Sequence, residues 1–460
     1  MKRTTILLSL LALYISSNAR QGQGLTPGQP LHPAPGKLVN PVVCQADASQ
    51  SYALYIPQKG DAKAMPVVFF FDSHGEGSLP LTKYRTLAEA YGFILVGSNN
   101  SKNGNDWPTT ERIWSRLFAD VRQRLKIDEG RLYVCGFSGG AKVASYVAIQ
   151  HPGIRGVIAG GAGLPDGVSA DNFPFSFTVL AGEGDMNLTD LAAISAALDK
   201  TQTRHRFIGF DGKHDWAPLT VMDRAFAGWQ LEAMHDRVLP PDPGFIRRIV
   251  AADKSRVEMA IRAGEYIRAE QACRVAASYL DGLTPEADGF RQKAAVLDSD
   301  PKYKRQQQAR DATFAREAAR KSEFMNEFQQ GDNKYWQQTI RQLESGAAAA
   351  GPEKGMYQRL IAYLSLAFYS ISNQMIGTGR NDPARHFVEL YKMADPGNSE
   401  AWYFSAVLDV REGHGAAAEA DLQKAISLGF KDRARLSAQP EFQKGLGSGA
   451  ISQLESKMAK

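Results

Sequence analysis

Three side chains far apart in this sequence have the types and order needed for acyl transfer. In "YVCGFSGGAKVAS", Tyr133 to Ser145, Ser138 stands between Gly136 and Gly140. An apolar run precedes it and a helix-like run follows, so the pentapeptide falls at a strand-to-helix turn. There the chain must bend sharply, and glycines two residues to either side remove the Cβ atoms that would clash. The serine oxygen is then exposed at the start of a helix, whose positive end favours a developing oxyanion. The following residue, Gly139, can offer its backbone N–H to that charge.

A serine hydroxyl is a weak nucleophile at neutral pH. It needs a base to take its proton and an acid to orient the base. The order expected after such a turn is serine, then Asp or Glu, then His. "FTVLAGEGDMN" carries Asp185 just past an apolar run, and "RFIGFDGKHDWAP" carries His214 just past another. Glu183 and Asp190 are rival acids, with Asp190 or Thr189 better read as a helix cap. Of the eight histidines, only His74 and His214 fall in loops at the expected edge, and only His214 follows the acid. His151 ends a helix, His205 lies in a strand and His235 at a helix end. A second oxyanion donor is expected from the loop "DSHGEGS", through the backbone of Ser73 or His74. The polar stretch "GSNNSKNGNDW" offers Asn99, Asn100 and Trp107 as pocket-lining candidates, or is an ordinary solvated loop.

The elements that must position these residues alternate. "SYALYIP", "PVVFFFD", "FILVGSN", "RLYVCGF", "IRGVIAGGAG", "FSFTVLAGEGD" and "RHRFIGFDG" read as strands. "LTKYRTLAEAYG", "TERIWSRLFADVRQRLK", "GAKVASYVAIQH", "LTDLAAISAALDK" and "PLTVMDRAFAGWQLEAM" read as helices. Such alternation predicts an α/β fold with a mostly parallel sheet covered by helices on both faces. Nearly continuous apolar strands such as Val67 to Phe71 fit its centre.

With 460 residues the chain exceeds one ordinary core. Residues 1–19 have a basic start, an apolar stretch and a small-residue end, as in an export signal cut after Ala19. An exported chain, periplasmic or secreted, is expected, with no membrane span after cleavage. Residues 20–42 are rich in Pro, Gly and Gln and read as a linker. Residues 43–238 form the catalytic region, closed by "VLPPDPG". Residues 244–460 show no convincing strand and read as an all-α domain. Within it, "SEAWYFSAVLDVREGHGAAAEADLQKAISLGF" resembles a tetratricopeptide unit, whose period is about 34 residues. Trp402 and Ala406 lie on its first helix and Ala416, Ala420 and Ala425 on its second. The apolar run "QRLIAYLSLAFYSISNQMI" is interrupted by Arg359, Asn373 and Gln374, and is expected to be a buried helix and not a membrane span. Net charge of +5 without a basic–aromatic cluster excludes an evident nucleic-acid surface. The three cysteines, Cys44, Cys135 and Cys273, form no disulfide framework. Cys135 and Cys273 are expected to be buried.

Residues from about Ser51 to Met234 resemble the α/β-hydrolases of the secreted esterase and polyhydroxybutyrate-depolymerase-like type. The resemblance rests on "YALYIP", "GFSGGA", "GEGD" and "GKHDW". It implies an eight-stranded core sheet and hydrolysis through an acyl-serine intermediate. Such families usually carry His-Gly directly at the end of the third strand, whereas here Asp72 and Ser73 precede His74 and Gly75. The reading is a serine hydrolase acting on carboxylic esters through Ser138, Asp185 and His214, with no metal or organic cofactor. One alternative is a peptidase with the same triad. Another is a protein- or peptide-binding helical module with a weak or inactive hydrolase domain.

Overall fold

The computed structural model describes residues 34–58 and 64–458. The expected export signal, and the first part of the expected linker, lie outside the described residues. Eight strands form one sheet: β1 (Leu38–Val43), β2 (Ser51–Tyr55), β3 (Met65–Phe71), β4 (Ile94–Ser98), β5 (Ile127–Phe137), β6 (Ile154–Gly160), β7 (Ser176–Gly182) and β8 (His205–Phe210). Their order is β1-β2-β4-β3-β5-β6-β7-β8. β2 runs antiparallel to both its neighbours, and all other pairings are parallel. This is the α/β-hydrolase arrangement, followed by an all-helical region.

One boundary differs from the sequence reading. The sequence reading places Leu38–Val42 in the linker, whereas Leu38–Val43 is the edge strand β1. Its Pro41 lies where the register shifts between Val39 and Val42. A proline, lacking an N–H, is tolerated in an edge strand, where one side of the backbone has no partner.

The helices between the strands are α1 (Ser78–Tyr91), α2 (Trp107–Arg124), α3 (Gly139–Gln150), α4 (Leu188–Leu198) and α5 (Leu219–His235). Alternation along β3 explains its unbroken apolar run. Val68 and Phe70 join a core with Leu81 and Tyr84 of α1 and Phe226 and Trp229 of α5. Phe69 and Phe71 face the other way, with rings 5.0 and 6.2 Å from that of Trp114 on α2. A strand buried on both faces leaves no polar position in its pattern.

The proline cluster at 238–244 ends the alternation of strands and helices, but the two compact units divide further on, between Ala312 and Thr313. Three helices after the clusters of prolines, α6 (Pro243–Arg262), α7 (Tyr266–Leu280) and α8 (Glu286–Ser299), therefore belong to the first unit. The reason is polar as well as apolar. Arg206 of β8 donates to Ser278 Oγ at 2.9 Å and pairs with the buried Glu232 of α5. Its guanidinium lies 4.2 Å over the Tyr279 ring, and that of Arg224 lies 4.8 Å away. Arg224 is in turn paired with Asp253 of α6 at 2.6 Å. Buried cations of this kind are held only where counter-charges and ring faces replace water.

The division falls inside α9 (Pro301–Gln330). The second unit continues with α10 (Asn333–Ala348), α11 (Lys354–Gly377), α12 (Asn381–Ala394), α13 (Ser399–Arg411), α14 (Gly415–Ser427), α15 (Arg433–Ala438), α16 (Pro440–Gly445) and α17 (Gly447–Lys457). Along α11 the buried residues Met356, Leu360, Leu364, Phe368, Ser372 and Ile376 recur every fourth position, and buried Arg359 pairs with Glu317 at 2.7 Å. No helix among the described residues is long and apolar enough to cross a membrane. The α13–α14 pair turns at Gly413, whose φ of 83° suits glycine. The small residues buried on α14 are Ala418 and Ala425, whereas Ala416 and Ala420 are exposed. The close face of α14 is thus rotated from the one expected. All three cysteines are free and buried.

Gly228 on α5 makes room for the doubly stacked tyrosine: a Cβ there would stand 2.0 Å from Tyr279 Cε1. The ring is buried beside two guanidinium groups, which leaves it little room to move. Gly228→Ala is expected to destabilise the first unit by about 2–3 kcal/mol, read as a lowered urea midpoint.

Candidate active site

The site begins with a backbone contact. A Cβ at Gly136 would lie 2.0 Å from the Gly140 carbonyl oxygen, and one at Gly140 would lie 1.9 Å from that of Phe71. Only glycines allow β5 to turn into α3 this tightly. The turn leaves Ser138 at φ 55° and ψ −127°, in a region that residues with a Cβ rarely adopt. Its N–H donates to Gly160 O at 2.8 Å, which holds the turn against the end of β6.

Asp185 and His214 follow β7 and β8, the next two strands after β6 in the sheet. Parallel strands end at one rim, so loops far apart in sequence meet there. The two loops are joined through their backbones: Gly184 N–H donates to Gly212 O at 2.8 Å. A Cβ at Gly182 would meet the carbonyl oxygens of Lys213 and Gly212 at 2.6 and 2.7 Å. Asp185 is 1% exposed. Its Oδ1 accepts from Asn187 N–H at 2.9 Å, and Asn187 Nδ2 donates onward to Gly161 O at 2.8 Å. Gly161, with φ 67°, leaves room for the imidazole, because a Cβ there would stand 3.0 Å from His214 Cε1. The Phe137 ring lies 4.7 Å from the imidazole on another side.

The three predicted side chains converge. His214 Nδ1 is 2.9 Å from Asp185 Oδ1, and His214 Nε2 is 3.0 Å from Ser138 Oγ. An ionised carboxylate only accepts, so the hydrogen sits on Nδ1. That leaves the Nε2 lone pair facing the serine hydroxyl, which donates to it.

The rival residues are placed elsewhere. Glu183 is half-buried, 3.9 Å from Arg268. Asp190 lies in the first turn of α4, whose N-cap is Asn187 and neither Asp190 nor Thr189. His151 bonds Glu111 at 2.9 Å and His205 bonds Asp199 at 3.1 Å. His235 bonds Asp236 at 2.9 Å.

The loop after β3 has a feature the sequence did not announce. Asp72, 2% exposed, accepts from His74 N–H at 2.8 Å through Oδ1 and from Trp216 Nε1 at 2.9 Å through Oδ2. The backbone donor of His74 is therefore taken. Among the described residues, no acceptor is paired with the N–H of Ser73 or of Gly139. Gly139 opens α3, so no carbonyl lies a turn behind it within the helix. The His74 ring is 76% exposed.

Of the pocket candidates, Asn99 and Asn100 hold the sheet edge together. Asn99 Nδ2 donates to Asn40 Oδ1 at 2.8 Å and to Ser51 Oγ at 3.1 Å. Asn100 accepts from Ser51 N–H and donates to Ser49 O. Trp107 stacks on Tyr146 of α3 at 4.5 Å and remains 39% exposed. The residue of this loop that reaches the serine turn is Asn103. Its N–H donates to Ser73 O at 2.8 Å, and its Oδ1 lies 1.8 Å from where a Gly139 Cβ would be. The sheet order could have pointed to it, since β4 neighbours β3 and β3 neighbours β5.

The Asp72 carboxyl is held below the ordinary carboxylate range. Burial pushes it up, and the bonds from His74 and Trp216 outweigh that. The unfolded chain therefore binds this proton more readily. The stabilisation is complete above about pH 4, the unfolded value, and is lost as pH falls through the lower folded value. Urea titrations between pH 2 and 6 should show a shallower acid loss in Asp72→Asn than in the wild type.

No protein-family model matches the chain, and no curated protein matches it. Among solved structures, it is similar to a hyperthermophilic esterase of the archaeon Pyrobaculum calidifontis, at 13% identity and TM-score 0.36, covering 43% of this chain and 87% of that one. It is similar to a fluorophosphonate-binding serine hydrolase of Staphylococcus aureus, at 12% identity and TM-score 0.36, covering 42% and 98%. It is also similar to an S-formylglutathione hydrolase of Agrobacterium tumefaciens, at 18% identity and TM-score 0.31, covering 39% and 88%.

Proposed function

We propose that the protein is a serine hydrolase that cleaves carboxylic esters through an acyl-serine intermediate. The observation that carries this reading is the single imidazole bridging Asp185 Oδ1 at 2.9 Å and Ser138 Oγ at 3.0 Å. Ser138 Oγ attacks the ester carbonyl carbon while His214 Nε2 takes the hydroxyl proton. Asp185 holds the imidazolium so formed and keeps Nε2 aimed at the serine. The negative charge on the former carbonyl oxygen is met by the N–H groups of Gly139 and Ser73. Of the two backbone donors expected from the 72–75 loop, Ser73 is the one not engaged by Asp72. The tetrahedral intermediate collapses, and the alcohol leaves with the proton carried by His214. A water, deprotonated by His214, attacks the acyl-serine carbonyl. The carboxylic acid departs as Ser138 regains its proton.

The basic, apolar and small-residue start of the chain supports an exported enzyme, periplasmic or secreted. The α13–α14 pair supports a tetratricopeptide-like helical region able to bind a protein or peptide, since stacked helix pairs present extended surfaces.

The test is covalent labelling and turnover. The wild type is expected to react with a fluorophosphonate and to hydrolyse p-nitrophenyl esters faster than chromogenic peptides. Ser138→Ala should abolish labelling, and Ser138→Ala and His214→Ala should each lower kcat by at least about 10³-fold. A folded wild type that takes no label would overturn the reading. Faster cleavage of the peptides would make it a peptidase.

A further inference from the structure

The geometry points to Asp72 as a positioning residue that locks the oxyanion loop to the histidine loop through Trp216. This rests on the hydrolase reading above, and adds to it a residue that touches neither substrate nor the reacting atoms.

Asp72 directly follows β3 and divides its two oxygens between two loops. Oδ1 takes the His74 N–H and, more distantly at 3.4 Å, that of Glu76. The loop that carries Ser73 is thereby folded around it. Oδ2 takes the indole N–H of Trp216, two residues beyond His214. Trp216 is buried, and its ring lies 5.6 Å from that of Phe137 and 6.1 Å from that of Phe70. Two further bonds hold the same stretch of the histidine loop: Lys83 Nζ donates to Trp216 O and Tyr84 OH to Ala217 O, both at 2.7 Å. Those bonds come from α1. The Asp72 bond instead runs from the histidine loop to the loop with the free N–H.

The chemistry needs that connection. An oxyanion donor acts only when it lies near 3 Å from the position of the developing charge, and that position is set by where Ser138 and His214 hold the carbonyl. Ser73 N–H belongs to a different loop from either. A buried carboxylate with a donor on each oxygen fixes the separation of the two loops. It also prevents His74 N–H from competing as a donor. The two residues inserted before His-Gly, Asp72 and Ser73, thus act as a unit, one clamping the loop and the other leaving its N–H open.

An asparagine cannot replace this carboxylate. Its amide would present one acceptor oxygen and one NH2 group, and the NH2 group would face either the His74 N–H or the indole N–H. Trp216→Phe removes only the Oδ2 bond and keeps an aromatic ring in the cluster. Asp120→Asn serves as a control, because Asp120 is also a buried carboxylate bridging two segments, through Gln45 N–H and Tyr52 OH, on the opposite face of the sheet. Steady-state hydrolysis of p-nitrophenyl butyrate, affinity for a phenylboronic acid and thermal melting would be measured for each.

Asp72→Asn and Trp216→Phe are each expected to lower kcat ten- to a hundredfold with KM within twofold of wild type. Boronate affinity should fall in parallel, since the tetrahedral adduct places an oxygen among the oxyanion donors. The double variant should lose no more than the more impaired of the two singles. Asp120→Asn should melt earlier with kcat unchanged. The inference is overturned if folded Asp72→Asn keeps kcat within twofold, or if Asp120→Asn lowers kcat as far as Asp72→Asn does. Should Asp72→Asn not fold, Trp216→Phe decides by the same criteria. Retained turnover in Ser138→Ala would instead remove the hydrolase reading itself, a separate outcome.

Discussion

Backbone pressing on backbone at the end of β5 is the constraint on which the site depends. Gly136 lies against the carbonyl of Gly140, and Gly140 against the carbonyl of Phe71, each too close for a Cβ. These contacts bring the N-terminus of α3 against the end of β3. They also put Ser138 at φ 55°, with its side chain turned out of the sheet. The strain is offset by the bond to Gly160 O and by the packing of Ala141, Ala144 and Val147 beneath the helix. The same close approach brings the N–H of Gly139 near the loop after β3. The placement of the Ser138 side chain and of the unpaired Gly139 N–H are therefore consequences of one turn.

The other components reach that turn through polar bonds between loops. Asp185 is held by Asn187, and Asn187 reaches back to Gly161 beside the imidazole. Asp72 joins the loop after β3 to the loop after β8. Buried carboxylates are costly unless each oxygen is satisfied. Here their donors are backbone, imidazole and indole N–H groups of the loops that need aligning. The desolvation of each carboxylate is thus coupled to a particular loop geometry, and a loop that drifted would leave a buried charge without a donor.

Much of this was legible in the sequence because the features are local. The strand–turn–helix at Ser138 is written in glycines two residues to either side. Asp185 and His214 could be placed because each falls just past an apolar run, and parallel strands end at one rim. The contributions of Asp72 and Asn103 were not legible, since both depend on which strands are neighbours. β3 sits between β4 and β5 in space, although β4 follows β3 in the chain. The loops carrying Asp72, Asn103 and Ser138 are adjacent only in that order. The sheet-edge bonds of Asn99 and Asn100 were hidden for a related reason: β2 pairs with β4, so the amides just past β4 fall opposite the start of β2 and are used there. Leu38–Val43 was hidden by composition, because the proline and glycine around it resemble a linker while its position at the sheet edge tolerates them.

The extent of the first unit follows from the same physics. On the face covered by α1 and α5, the far end of the sheet presents Ser176, Thr178 and Arg206, which are polar, in place of the apolar residues found along β3. A helix with an apolar stripe would leave these groups without partners. α7 supplies Ser278 and Tyr279, and α5 supplies Glu232, so that Arg206 meets a hydroxyl, a carboxylate and a ring face. Ser176 donates to Glu232 at 2.7 Å, and Thr178 lies 3.4 Å from Tyr279 OH. The polar end of the sheet therefore requires the helices beyond the proline cluster. A chain cut at residue 243 would expose Arg206, Thr178 and the cavity left by Tyr279, which is why the compact unit extends past the last strand.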